Sequence, residues 1–422
     1  MEIIANYGNV LIILAIVFGV FMAWGIGAND VANAMGTSVG SGAVTIKQAI
    51  IIAVIFEFAG AILAGGEVTA TIRKGILDAA LFTNEPHLLV YGMLASLLAA
   101  GTWLLIASSF GWPVSTTHSI VGAIVGFGAV GVGVDAVDWN QVVKIVLSWV
   151  ASPVLAGIIS FMLFRSLQNL IIDTNDPFDN AKKYVPYYMF LVGFIVSLVT
   201  ILKGLKHVGL SFDLFTSYSL SVGCGLIVAL FGTLVIRRIH LDPDENKDFH
   251  FASMERVFGV LMIITAAAMA FAHGSNDVAN AIGPLAAIYS VIESGGSIGS
   301  KSALPVWILL VGGAGIVVGL ITYGHKVIAT IGTRITQLTP SRGFAATLAA
   351  AATVVIASGT GIPVSTTQVL VGAVLGVGLA RGMAALDTRV INKIFLSWIV
   401  TLPAGALMSI LFFFTLKGVF GA

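Results

Sequence analysis

The sequence predicts an all-α polytopic membrane protein, and three observations support this fold class. Of the 422 residues, 58% are hydrophobic and only 10% are charged, well below the roughly 25% charged residues of an ordinary soluble protein. Apolar stretches long enough to cross a hydrocarbon core of ~30 Å as helices recur along nearly the whole chain. Two polar motifs each occur twice, once in each half. We therefore expect a duplicated chain that crosses a membrane many times.

Roughly twelve apolar stretches are predicted to be membrane-spanning segments. In chain order they lie at about 9–26, 48–65, 88–108, 113–134, 141–164, 186–203, 214–236, 257–272, 304–322, 344–358, 363–380 and 391–416. The polar segments between them are short, so no extramembrane catalytic domain is expected and the protein is predicted not to be an enzyme. The net charge is +1 and the basic residues form no dense block, which argues against nucleic-acid binding.

The sequence contains an internal duplication. Three pairs of segments match in the same order and at nearly the same spacing: Asn29–Ala34 with Asn276–Ala281 (both NDVANA), Gly111–Gly126 with Gly361–Gly376, and Lys144–Pro153 with Lys393–Pro403. The sequence therefore predicts a first repeat over residues 1–170 and a second over residues 250–422. Residues 171–249 form a linker with two extra transmembrane helices and a cytoplasmic loop.

The distribution of basic residues predicts how the repeats are oriented. Lys and Arg favour cytoplasmic loops. If the twelve stretches alternate strictly from an external N-terminus, most of the 21 Lys and Arg fall on the cytoplasmic side. In that arrangement the two NDVANA segments emerge on opposite faces of the membrane. This is the inverted-topology repeat found in many secondary transporters.

The NDVANA segments predict two cation sites. Asp30 and Asp277 each follow an apolar stretch, where a carboxylate is costly and usually functional, although capping of a water-exposed helix end is the alternative. Three residues later come Asn33 and Asn280, which share a helical face with the aspartates. Hard cations take oxygen ligands, so sodium fits these side chains. The neighbouring glycines are expected to permit a helix break and close backbone approach.

The Pro-Val-Ser-Thr-Thr segments predict an anion site. Proline suits the first helical position, which places the hydroxyls that follow in a first turn whose N–H groups lack intrahelical partners. Such a helix N-terminus binds phosphate or sulfate, and ordinary N-capping is the alternative. The candidate ligands are Ser115, Thr116 and Thr117 with Ser365, Thr366 and Thr367. Two such N-termini converging between inverted repeats would form one cradle at the midplane of the membrane.

The charges of the motif residues predict that the anion and the cations bind together. Neither motif contains Lys or Arg, so an anion beside two aspartates would leave the cavity strongly negative. Cations must therefore bind with the anion, either as sodium ions or as protons on the carboxylates. Glu57 lies in the middle of an apolar run and is a possible coupling residue, with hydrogen bonding between helices as the alternative. His118 is replaced by Gln368 in the second copy, which favours a structural role.

With these motifs the chain resembles the inorganic phosphate transporters of the PiT family over essentially its whole length. The resemblance implies phosphate uptake driven by sodium or protons, and re-entrant helical hairpins built around the Pro-Val-Ser-Thr-Thr segments. It also implies that Asn29 and Asn276 lie near the phosphate. Together with the extra central helices it suggests a homodimer. The chain departs from several relatives at Thr347, where they carry a glutamate, and in having only a short loop over Arg237–Arg256.

The function predicted from the sequence is import of inorganic phosphate with sodium by a secondary active transporter that works by alternating access. The predicted setting is the lipid bilayer of the plasma membrane, with sodium ions as co-transported ligands and no cofactor. Two alternatives keep the same fold, namely a proton-coupled symporter of phosphate or metal-phosphate, and a sulfate symporter. An anion channel is a less favoured alternative, because the matched acidic motifs indicate coupling rather than an open pore.

Overall fold

The protein is built from α-helices, as predicted. The computed structural model describes residues 2–110, 112, 114–240, 247–298, 304–325, 328, 338–382 and 388–421. Within these ranges the helices are α1 (Glu2–Gly40), α2 (Ile46–Ala64), α3 (Gly66–Lys74), α4 (Pro86–Ser109), α5 (Thr116–Phe127), α6 (Trp139–Leu167), α7 (Pro177–Leu202), α8 (Leu214–Ile236), α9 (Lys247–Glu293), α10 (Val306–Gly319), α11 (Pro340–Gly359), α12 (Thr366–Arg381) and α13 (Thr388–Phe420). Only an isolated bridge between Leu77 and Val137 interrupts this all-helical pattern in the described ranges.

Ten of these helices are long and apolar enough to cross a membrane, namely α1, α2, α4, α6 to α11 and α13. The chain is therefore a multi-pass membrane protein. The two remaining apolar segments, Thr116–Val132 and Thr366–Arg381, are shorter. Each begins at a Ser-Thr-Thr sequence and packs against the long helix before it, α5 against α4 and α12 against α11. The twelve predicted segments thus comprise ten long helices and two short ones within the described residues.

The NDVANA motifs lie inside continuous helices, so the expected helix break beside them is wrong. Helix α1 runs unbroken to Gly40 and α9 to Glu293. The motif glycines serve close helix approach instead. A Cβ atom on Gly27 would collide with the main-chain oxygen of Ile316 in α10, and one on Gly274 with that of Glu57 in α2. Glycine is required at both positions because main chain meets main chain there.

The two halves pack through exchanged helices. Helix α6 of the first half packs against α12 of the second, and α13 of the second half packs against α4 and α5 of the first. Small residues permit both contacts: Gly372 in α12 faces the main chain of Pro153, and Gly122 in α5 faces that of Leu402. The halves therefore share a core, and the two large hydrophobic clusters each draw residues from both halves.

Two helices, α7 and α8, lie between the two predicted repeats. Helices α7 and α8 pack against each other, and α7 also contacts α9 and α11. One side of α8 is apolar and exposed at Leu226, Ile227, Leu230 and Phe231. A membrane-spanning helix with such a face contacts lipid or another protein. The boundaries at 170 and 250 remain predictions from the sequence repeat, and Leu241 to Asn246 lie outside the described residues.

Candidate functional site

The expected proline at the first helical position is wrong for α12, because Pro363 lies in the extended segment before the helix, which begins at Thr366. Ser115 is the N-cap of α5 and its Oγ accepts a hydrogen bond from the His118 N–H at 3.2 Å, while Ser365 caps α12 by accepting from the Gln368 N–H at 3.3 Å. N-capping is therefore real at both positions. It leaves each serine O–H free to donate, and the N–H groups of the two threonines that follow lack intrahelical acceptors. Pro113 and Gly111 lie outside the described residues.

The two N-termini meet. Thr117 Oγ1 donates to the carbonyl oxygen of Val364 at 3.0 Å, and Thr367 Oγ1 donates to that of Val114 at 3.4 Å. Each first turn thus contacts the extended residues that precede the other short helix. This reciprocal contact brings the six candidate hydroxyls of Ser115–Thr117 and Ser365–Thr367 into one buried region.

The second asparagine of each NDVANA motif reaches across to the other half. Asn33 Nδ2 donates to Thr367 Oγ1 at 2.7 Å. Asn280 Nδ2 donates to Thr117 Oγ1 at 3.2 Å and to Thr116 Oγ1 at 3.3 Å. Each candidate cation motif therefore contacts the candidate anion motif of the opposite repeat.

The first asparagine of each motif contacts its own half. Asn276 Nδ2 donates to the Val364 carbonyl oxygen at 2.8 Å and to Asp277 Oδ1 at 2.6 Å. Asn29 Nδ2 donates to Ser108 Oγ at 2.8 Å and to the carbonyl oxygen of Trp112 at 3.3 Å. Both side chains therefore hold the segments that lead into the short helices. Ser108 lies outside the matched segments of the sequence, and Trp112 lies inside one of them but is replaced by Ile362 in the second copy, so neither stands out as a site residue.

The two aspartates have different surroundings. Asp277 Oδ2 accepts from Thr366 Oγ1 at 2.9 Å and lies 2.8 Å from His273 Nε2, while its Oδ1 accepts from Asn276. Asp30 Oδ1 accepts from Asn33 Nδ2 at 3.0 Å, but its Oδ2 is buried without a hydrogen-bond partner. The Oδ1 atom of Asn280 is likewise buried without a partner. Unsatisfied buried oxygens of this kind are suited to a cation.

His273 belongs to the site, although its pattern in the sequence did not reveal it. Its Nδ1 lies 3.2 Å from Glu57 Oε1 and its Nε2 faces Asp277. Ligating atoms of Asp30, His273 and Asp277 lie within 4.8 Å of one another. One signal was available, because His273 and Asp277 are four residues apart and share a helical face. The contact with Glu57 joins α9 to α2 and depends on the fold.

The whole site is closed to solvent. No predicted site residue is more than 3% exposed, and Glu57, Asp30, Asp277 and His273 are completely buried. Among residues whose exposure the structure describes, no Lys or Arg is buried. The charges of three buried carboxyl groups must therefore be balanced by His273, by protons or by bound cations. At Thr347, where several relatives carry a glutamate, the hydroxyl pairs with Thr37 Oγ1 at 2.8 Å.

Known proteins share both the sequence and the fold of this chain. A relative from Haemophilus influenzae, named as a phosphate permease, is 55% identical over 420 residues and matches all of both chains. The Arabidopsis thaliana protein named inorganic phosphate transporter 2-1, chloroplastic, is 43% identical over 421 residues, covering 94% of this chain and 70% of its own.

A solved structure and a family model agree with these relatives. The structure, named "The sodium-dependent phosphate transporter", superposes with a TM-score of 0.90 at 41% identity, over 97% of this chain and 100% of its own. The model of the phosphate transporter family matches residues 26–409, which include both copies of each motif. This is a family of permeases rather than enzymes, and the chain belongs to it.

Proposed function

We propose that the protein imports inorganic phosphate together with sodium by alternating access. The observation that carries this proposal is the meeting of the α5 and α12 N-termini, each held by an asparagine of the opposite NDVANA motif. An anion cradle is thereby tied directly to candidate cation ligands. The similar solved protein is named as sodium-dependent, which supports the same choice of coupling ion.

Phosphate is proposed to bind at the first turns of α5 and α12. The donors are the free N–H groups of these turns and the hydroxyls of Ser115, Thr116, Thr117, Ser365, Thr366 and Thr367. The O–H groups of Thr117, Thr366 and Thr367 must first turn away from Val364, Asp277 and Val114, to which they donate in this structure. The positive ends of two helix dipoles favour the anion there. Asn29 and Asn276 lie behind the cradle and fix the segments that lead into it.

Sodium is proposed to bind at Asp30, Asn33, Asp277 and Asn280. The unpaired oxygens of Asp30 and Asn280 are the first candidates, because each needs a positively charged or hydrogen-bonding partner. A sodium ion there neutralises the carboxylate beside the phosphate. Anion binding without cations would leave uncompensated negative charge in a buried cavity, so the two ligands should bind together.

Alternating access is proposed because the site is buried from both sides. Transport then requires it to open to one face of the membrane at a time. The exchanged packing of α6 with α12 and of α13 with α5 provides two similar interfaces that could open in turn. A homodimer remains part of the proposal, with the exposed apolar face of α8 as one surface available for it.

The test is radiolabelled phosphate uptake into liposomes containing the purified protein. Uptake is measured with an inward sodium gradient, with a proton gradient alone, and with excess unlabelled sulfate. We expect uptake to need sodium, to resist sulfate, and to be lost in Asp30→Ala and Asp277→Ala. Asp135→Ala is the matched control, because Asp135 is an exposed aspartate outside the site. Uptake driven by protons alone would overturn the sodium assignment.

Proton coupling is the second candidate, and one observation favours it. Glu57, His273 and Asp277 form a buried row of groups that can each carry a proton. Sulfate import is disfavoured because a buried carboxylate oxygen, such as Asp30 Oδ2, can accept a hydrogen bond from HPO4 but not from fully ionised sulfate. Competition by sulfate in the same assay would overturn the phosphate selectivity.

A further inference from the structure

We propose that His273 is a positioning residue through which Glu57 acts on Asp277, and that this makes the two NDVANA motifs unequal in cation binding. The inference rests on the proposed function, since it concerns how the coupling cation is held. Its basis is the chain of contacts from Glu57 in α2, through His273, to Asp277 in α9, which we call the Glu57–His273–Asp277 chain.

The geometry assigns a separate partner to each ring nitrogen. Nδ1 lies 3.2 Å from Glu57 Oε1 and Nε2 lies 2.8 Å from Asp277 Oδ2, and all three side chains are completely buried. Both contacts are at ion-pair distance, and neither meets hydrogen-bond geometry. Glu57 therefore orients the imidazole by electrostatic attraction, with Nδ1 towards Glu57 and Nε2 towards Asp277. No contact between Glu57 and a motif side chain is found among the described residues other than this one through His273.

Asp277 is consequently held by three groups. Thr366 Oγ1 and His273 Nε2 contact its Oδ2, and Asn276 Nδ2 bonds its Oδ1. A carboxylate held in this way keeps one orientation, so its remaining lone pair stays aimed at the ion position. His273 Nε2 lies at ion-pair distance from Asp277 Oδ2 without meeting hydrogen-bond geometry, so losing the imidazole removes an electrostatic contribution to this support.

The first half lacks the equivalent chain. Gly27 packs on the main chain of Ile316 as Gly274 packs on that of Glu57, which makes Ile316 the counterpart of Glu57. One residue before each glycine stand Ile26 and His273, so the counterpart of the imidazole is also an isoleucine. Asp30 Oδ2 makes no hydrogen bond in this structure. The imidazole lies within 4.8 Å of ligating atoms of both aspartates, but at ion-pair distance it contacts Asp277, so the two aspartates differ in direct contact with the chain.

The consequence concerns the sodium dependence of transport. Removing the charge of Glu57 releases the imidazole, so Asp277 loses its fixed orientation and binds the cation less well. We expect Glu57→Gln and His273→Gln each to raise the half-saturating sodium concentration for phosphate uptake by about tenfold. The phosphate KM at saturating sodium should change less than twofold, because neither side chain bonds the first turns of α5 and α12 in the described contacts.

The deciding experiment is a double-mutant cycle on sodium half-saturation in proteoliposomes. If Glu57 acts through His273, the Glu57→Gln/His273→Gln double variant should be no worse than either single variant. The control cycle pairs Glu57→Gln with Thr37→Val, which alters the Thr37–Thr347 contact of α1, and its effects should multiply. Glu57→Asp keeps the charge on a shorter side chain and should give an intermediate shift, which tests the idea even if Glu57→Gln folds poorly.

Each outcome has a distinct meaning. Sodium-dependent wild-type uptake with multiplicative effects of Glu57→Gln and His273→Gln would overturn the positioning role and leave the proposed function intact. A loss of maximal rate without a shift in sodium dependence would do the same. Wild-type uptake that ignores sodium would overturn both the sodium assignment and this inference.

Discussion

Asn280 is the residue that most directly joins the two kinds of motif. Its Nδ2 bonds both hydroxyls of Thr116 and Thr117, and its Oδ1 is unpaired. Asn280→Ala should therefore raise both the phosphate KM and the half-saturating sodium concentration by about tenfold or more. Uptake kinetics at varied phosphate and varied sodium check this. Asn180→Ala is the matched control, because the Asn180 side chain, in the first turns of α7, bonds Thr174 in the preceding loop and lies outside the site. An effect on phosphate alone would remove Asn280 from the cation site.

The threonine hydroxyls permit a prediction that keeps side-chain shape. Thr117→Val and Thr367→Val remove only the O–H groups that now bond the carbonyl oxygens of Val364 and Val114. Each should raise the phosphate KM about tenfold, since the variant loses a hydroxyl that would turn from its carbonyl acceptor to the bound anion. Thr200→Val in α7 is the control, because that hydroxyl bonds its own helix. Equal phosphate KM values in all three variants would show that the hydroxyls do not contact phosphate.

Among single residues, those in the repeated motifs are the ones that the sequence identifies as site residues. The motif residues are predictable because NDVANA and Ser-Thr-Thr each occur twice, which weakens the reading of any single copy as a simple helix cap. Repetition could not identify His273 as a site residue, because the corresponding residue in the first copy is Ile26. Glu57 was noticed as a buried charge, but its partner lies on another helix, so only the packing of α2 against α9 shows what it does.

Helix packing makes a prediction about stability. Gly27→Ala places a Cβ against the main chain of Ile316, so α1 and α10 must separate. We expect a loss of about 1–3 kcal/mol, as for other overpacked interiors, and a lower melting temperature in detergent. Gly223→Ala in α8 is the control, since a Cβ there meets nothing within 4 Å. Unchanged melting of Gly27→Ala would show that the two helices adjust freely.

The elements themselves were largely predictable from hydropathy, and their details were not. Long apolar runs correctly indicated helices such as α4 and α11. The same measure could not separate the short helices α5 and α12 from full crossings, because a helix that is apolar all round gives no sign of where it ends in the membrane. The wrong prediction of a helix break has a similar cause. Glycine suits both a break and a close contact, and only the position of α10 or α2 decides between them.

For the whole molecule, the inverted orientation of the repeats remains a prediction with a direct test. Lys47 lies in the first turn of α2, shortly after the end of α1, and Ser297 lies shortly after the end of α9. Both residues are exposed. In a Cys224→Ser background, one of Lys47→Cys and Ser297→Cys should react with a membrane-impermeant maleimide in intact cells. The other should react only after the membrane is permeabilised, because the two positions lie on opposite faces. Labelling from the same side would show that the repeats are parallel. Cys224 must be replaced first because it is partly exposed.

Sequence comparison between the halves predicts the duplication, but not how the halves interlock. The exchange of α6 and α13 depends on small residues such as Gly122 and Gly372 meeting the main chain of a helix from the other half. Glycine is common throughout this chain, with 48 copies, so those positions carry no distinguishing mark in the sequence. The shared core depends on which helices of the two halves pack together, and only the three-dimensional structure shows this.

The crossed bonds from Asn33 to Thr367 and from Asn280 to Thr117 also bear on ancestry. Because each first turn takes a side chain from the opposite repeat, one repeat alone cannot build a complete site. An ancestor consisting of a single repeat would have worked only as a pair of identical copies. A single chain that carries both copies is free of the requirement that they be identical, and the two copies do differ at Ile26 and His273.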